Sequence, residues 1–107
     1  MIDWNRVREL RDEIGGADFD EVVDLFLAEV DNAIGGLQPE DTDAFRDQMH
    51  FLKGSALNLG FAALASLCAD AECRPDTDPG RVAAQVATVF AESRSLFFAD
   101  LANRLAA

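Results

Sequence analysis

The sequence is short of the residues on which most protein surface chemistry depends. It has one histidine (His50), one lysine (Lys53), one tryptophan, no tyrosine and 2 cysteines in 107 residues. Basic side chains are scarce as a class, with 9 Lys and Arg against 20 Asp and Glu, a formal net charge of -11. A nucleic-acid binder neutralises phosphates with Lys and Arg, so this balance argues against one. An anionic membrane surface would repel the chain for the same reason. No apolar run approaches the roughly 20 residues that span a bilayer. The opening Met1-Ile2-Asp3-Trp4 lacks the basic and apolar regions of a signal peptide. Cys68 and Cys73 stand five apart with a single His to join them, which argues against a zinc site. Reduced thiols in a cytoplasmic protein are the expectation. There is no Gly-rich phosphate loop or nucleotide-grasping motif, and no alternation of strands with helices. An autonomous kinase and a receiver domain are both excluded.

What the sequence does have is helical periodicity from end to end, in a composition that is 50% hydrophobic and 27% charged. A short helix is predicted from Asp3 to about Ile14, with Val7, Leu10 and Ile14 inward and Gly15-Gly16 as its stop. A second runs from about Asp18 to Ile34, carrying Phe19, Val22, Val23, Phe26, Val30, Ala33 and Ile34. A third starts at Asp41 or Thr42, both good N-caps, and ends at Leu59 before Gly60. A fourth covers Ala62 to Cys73, with Leu64, Leu67, Cys68 and Ala71 inward. After the polar loop 74–80, a last helix has Asp78 as N-cap and Pro79 at its first position. It directs Val82, Val86, Val89, Phe90, Leu96, Phe97, Leu101 and Leu105 to the core. The expected fold is all-α: an antiparallel four-helix bundle with a short additional N-terminal helix, as one domain over residues 1–107.

On the third helix the apolar stripe is Phe45, Met49, Leu52, Ala56 and Leu59, with Ser55 at its margin. His50, Lys53, Gly54 and Leu57 fall on the opposite face with Arg46 and Asp47, so the imidazole should be exposed. Gly54 in a helix interior costs up to about 1 kcal/mol relative to Ala, and its missing side chain leaves clearance one turn beyond His50. Lys53 lies within reach of His50 at i+3 and would attract a negative group attached to the ring. Leu57 is an apolar residue on a polar face. An imidazole, titrating near a reference value of about 6.5, is a competent nucleophile at neutral pH. No general base or metal site accompanies it on this face, so His50 is suited to receiving and passing on a group while a partner supplies the catalysis. A lone surface His, a close-packing Gly and a scattered Leu each have a bland explanation. Their coincidence around the only His sets the functional reading level with the bland one, and the physics of the residues goes no further.

The stretch His50-Phe51-Leu52-Lys53-Gly54-Ser55-Ala56-Leu57-Asn58-Leu59-Gly60 resembles the signature of histidine-containing phosphotransfer (HPt) domains, H-x-hydrophobic-K-G-S/A-S/A-x-x-hydrophobic-G. Phe26 and Glu29 before it, and Leu64, Cys68 and Glu72 after it, are similar to the family's flanks. The resemblance implies a four-helix bundle that carries phosphate between receiver domains in a multistep relay. His50 would be phosphorylated at Nε2, Lys53 would steady the phosphoryl group, and Gly54 would leave room for the receiver. Ser55 and Ala56 would support the packing, and Gly60 would turn the chain. Leu57 departs from the smaller residue common there and bears on partner choice, together with Leu25 or Leu27 of the preceding helix.

The implied partners are response-regulator receivers and a hybrid histidine kinase. No cofactor is expected on this chain, Mg2+ being needed only in the receiver. A cytoplasmic monomer is expected, and the start at Met1 favours a freestanding protein over an excised module. The alternative is a phosphate-independent helical module that binds and sequesters a receiver or kinase. Retention of both His50 and Lys53 favours transfer. A dimerising bundle built on Leu96-Phe97-Phe98 is a further rival, since Phe98 lies off the core stripe.

Overall fold

The computed structural model describes residues 1–74 and 78–105. It contains five helices: α1 (Trp4–Ile14), α2 (Phe19–Gly35), α3 (Thr42–Leu59), α4 (Ala62–Cys73) and α5 (Pro79–Leu105). Capping chemistry sets most of these limits. The side chains of Asp3, Asp41 and Asp78 accept hydrogen bonds from the backbone N–H of Arg6, Ala44 and Arg81, three residues on in each case. At the other ends, Gly15 and Gly60 take positive φ values of 96° and 80°. Residues 75–77 of the polar loop lie outside the described residues. No described helix is long and apolar enough to cross a membrane.

α2, α3, α4 and α5 pack each on the next, α5 returns to α2, and α1 lies on α2 and α3. Val23, Val30, Met49, Leu52, Leu64, Val86 and Phe97 share the core. α1 is tied down at both ends. The Trp4 ring stacks on Phe97 with centroids 5.7 Å apart, and Arg11 Nη1 donates to the Leu105 carbonyl at 2.9 Å. The N-terminal segment pairs with the α3–α4 turn through an isolated antiparallel bridge between Ile2 and Phe61, and Asp3 N–H donates to the Gly60 carbonyl at 2.7 Å. Gly60 is required twice over, because a Cβ there would sit 2.7 Å from the Asp3 carbonyl oxygen.

Two core assignments are corrected. Leu27 is buried within α2, on the stripe with Phe19, Val23 and Val30, and cannot reach a partner. Leu96 is 45% exposed, because Phe97 takes the inward position between Phe61 and Trp4. Val22, Phe26, Ala33, Leu67, Ala71 and Val89 are partly buried rather than central.

Candidate functional site

α3 is fixed in rotation by the buried residues Phe45, Met49, Leu52, Ala56 and Leu59, so its remaining faces are determined. Its N-terminal half is also clamped to the connector from α2. Gln48 accepts from the Gln38 N–H and donates to the Gly36 carbonyl, both at 2.9 Å. On the outer face the His50 side chain is 68% exposed. Gly54 and Leu57, one and two turns later, are exposed as well. A Cβ placed on Gly54 would meet nothing within 4 Å. The helix therefore tolerates a side chain at this position, and nothing in the fold explains the glycine.

α4 supplies a group that the sequence reading left without a chemical role. Glu72 reaches back across the α3–α4 pair and places one carboxylate oxygen on each functional side chain of α3. Oε1 lies 2.7 Å from His50 Nδ1, and Oε2 lies 2.8 Å from Lys53 Nζ. Its side chain is only 21% exposed, and Oε2 is shut off from solvent, leaving the Lys53 ammonium 2.8 Å away as its one charge partner among the described residues.

The pKa shifts follow the geometry. Hydrogen bonds from Lys53 and then His50 hold the Glu72 carboxyl below its usual range, against the opposing effect of burial. The hydrogen bond to Glu72 raises the Lys53 ammonium, partly offset by desolvation. An ionised carboxylate can only accept, so His50 Nδ1 carries the proton and donates it to Oε1. In the neutral ring the lone pair is then on Nε2.

Cys68 is buried, which pushes its thiol up to about 12 and keeps it protonated.

Three large apolar side chains of α3 and its neighbour α2 are exposed: Phe51 (49%), Leu57 (56%) and Leu25 of α2 (60%). Phe51 follows His50 directly and lies toward the α2 side, whereas Leu57 lies toward the opposite flank. Phe26 and Glu29 of α2 line a small cleft with Ser55 and Asn58 of α3, and Leu25 precedes Phe26 on the exposed side of α2. Of the two candidates on α2, only Leu25 is available. Nothing in the sequence marks Phe51 for a role, since it stands at the variable position of the motif directly after His50.

No curated protein and no solved structure matches the chain. The family model of the Hpt domain matches residues 21–105, most of the chain and all of the surface just described. The chain belongs to the Hpt domain family, whose members are phosphocarrier modules of histidine phosphorelays.

Proposed function

We propose that this protein is a phosphohistidine carrier of a multistep relay, accepting a phosphoryl group on His50 from a receiver aspartate and passing it to a second receiver. The observation that carries this reading is the Glu72–His50 hydrogen bond of 2.7 Å beneath an otherwise exposed imidazole. Glu72 holds the Nδ1–H tautomer, and Nε2 presents its lone pair outward. Attack of Nε2 on the phosphorus forms the N–P bond as the P–O bond to the aspartate breaks. The electron pair leaves with the aspartate carboxylate. The ring becomes cationic while keeping its Nδ1 proton, and the Glu72 carboxylate stabilises that charge through a charge-assisted hydrogen bond. The return step reverses these changes at the next receiver.

Lys53 starts this cycle engaged with Glu72. A phosphoryl group adds about -1.5 to -2 charge at neutral pH and gives the ammonium a second anion to neutralise. Lys53 then moves part or all of its contact from Glu72 to the phosphoryl oxygens. Gly54 provides open space for the partner backbone, and Leu57, Phe51 and Leu25 supply apolar contact. The scaffold is an antiparallel four-helix bundle of α2–α5 with α1 as the additional helix, forming one domain over 1–107. The chain itself has no kinase activity and needs no cofactor, with Mg2+ belonging to the receiver. It works in the cytoplasm as a monomer with receivers and a hybrid histidine kinase.

The test is transfer of label from a panel of phosphorylated receiver domains to wild-type chain and to His50→Ala. Acid-labile, alkali-stable label that disappears in the variant supports the proposal. Tight receiver binding with no label on the wild-type chain would replace it with sequestration.

A further inference from the structure

The charges around the His50 face are not balanced, and the pattern defines the partner. Lys53 and Arg46 of α3 and Arg6 beside the end of α3 each have a carboxylate of the chain within 4.0 Å. Lys53 contacts Glu72 at 2.8 Å. Arg46 contacts Asp43 at 4.0 Å. Arg6 of α1, whose Nε donates to the Asn58 carbonyl at the far end of α3, contacts Glu13 at 3.1 Å and Glu9 at 3.8 Å.

Two carboxylates of α3 and α2 differ. Among the described residues, neither Asp47 nor Glu29 has a cation within ion-pairing distance. Both are exposed. Asp47 precedes His50 by one turn of α3, and Glu29 sits on the opposite side of the apolar surface beside Ser55 and Asn58. α2 extends the imbalance, since Phe19–Gly35 contains Asp20, Glu21, Asp24, Glu29 and Asp31 and no Lys or Arg. The uncompensated charge left to a docking partner is therefore negative on both sides of the apolar centre.

We propose that the receivers served by this chain dock through an apolar ridge framed by Lys and Arg side chains, with Glu29 and Asp47 steering the encounter. The proposal rests on the phosphocarrier reading and specifies its partner. Apolar contact supplies the adhesive area, and the flanking charges select for basic receivers and against acidic ones. Phosphorylation of His50 makes the face more negative. The loaded carrier should then meet a basic-rimmed receiver faster than the unloaded one does.

The experiment measures second-order rates of phosphoryl transfer to this chain from purified receivers with basic, neutral and acidic docking faces. Rates are taken at about 20 mM and about 500 mM salt, where screening is weak and strong. Basic-faced receivers should react fastest, and their rate should fall about tenfold or more as salt rises. Glu29→Gln with Asp47→Asn should slow the low-salt rate several-fold, leave the rate at saturating receiver unchanged, and lose its effect at high salt. A salt-independent rate, an unaffected double variant or a preference for acidic-faced receivers would overturn the proposal.

A separate arm uses phosphoramidate, a small donor that phosphorylates imidazole with release of ammonia and needs no docking surface. His50 labelled by phosphoramidate but indifferent to receiver charge would overturn the steering proposal alone. No label on His50 from phosphoramidate would count against the carrier reading, while salt-sensitive binding of basic-faced receivers, measured by titration, would still decide the docking proposal.

Discussion

Replacing Gly54 separates what the fold requires from what a partner requires. Gly in a helix interior is less favourable than Ala by about 0.5–1 kcal/mol. A Cβ at Gly54 meets nothing within 4 Å, so Gly54→Ala introduces no clash to offset that gain. The free protein should be stabilised by about 0.5–1 kcal/mol, which for a domain of this size raises the Tm by roughly 2–5 °C. Gly54→Leu should be at least as stable as wild type, since Leu is a good helix former and its side chain projects into solvent. In the complex the same atoms would enter a packed contact, where overpacking costs about 1–3 kcal/mol. Each 1.4 kcal/mol is about tenfold in affinity, so Gly54→Leu should slow receiver-to-His50 transfer about tenfold or more below saturation. Labelling by phosphoramidate should be unchanged. Thermal melts and the two labelling assays read all of this. Destabilisation of either variant, or wild-type transfer by Gly54→Leu, would refute the reasoning.

Three other outcomes follow from particular contacts. Glu72→Gln should slow His50 labelling even by phosphoramidate, because the amide leaves the cationic ring without a carboxylate partner. The stability advantage of wild type over Glu72→Gln should depend on pH at both ends. Glu72 is depressed, so its contribution is fully present above about 4.5, the ordinary glutamate value, and is lost as pH falls through the lowered value of the folded state. Lys53 is raised, so its contribution is present below its ordinary value of 10.5 and is lost as pH rises through the folded-state value. Urea midpoints for both proteins across pH check this, and a constant difference would contradict it. Gly60→Ala should cost about 2 kcal/mol or more in denaturant unfolding, combining the left-handed backbone with contact against the Asp3 carbonyl. Ser93 Oγ is buried in α5 without a hydrogen-bond partner, so Ser93→Ala should stabilise the protein by about 1 kcal/mol, read in the same way.

The helix limits were legible because they are written in local chemistry. Asp3, Asp41 and Asp78 cap through atoms three residues away, and Gly15 and Gly60 stop helices by adopting positive φ. The outer face of α3 was legible for the same reason, since five buried residues at helical spacing fix its rotation. Leu27 was not, because α2 carries apolar residues on two neighbouring stripes. Which stripe becomes central depends on the packing of α3 and α5 rather than on α2 alone. Leu96 failed similarly, as three apolar residues in succession leave the choice to Trp4 and Phe61, which close on Phe97. Glu72 is the instructive case. It is 22 residues from His50 in sequence, and its reach to both His50 and Lys53 exists only once the Gly60 turn has set α4 against α3. Its place in the family's flank marked it without giving it a role.

The central claim is that Nε2 of His50 is the phosphoryl acceptor while Nδ1 stays protonated against Glu72. The most direct measurement is nitrogen-15 and phosphorus-31 NMR of the imidazole before and after phosphoramidate treatment. The account requires a protonated Nδ1 in both states and phosphorus coupled to Nε2 in the second. Phosphorus on Nδ1, or a free ring with the Nε2–H tautomer dominant, would contradict it.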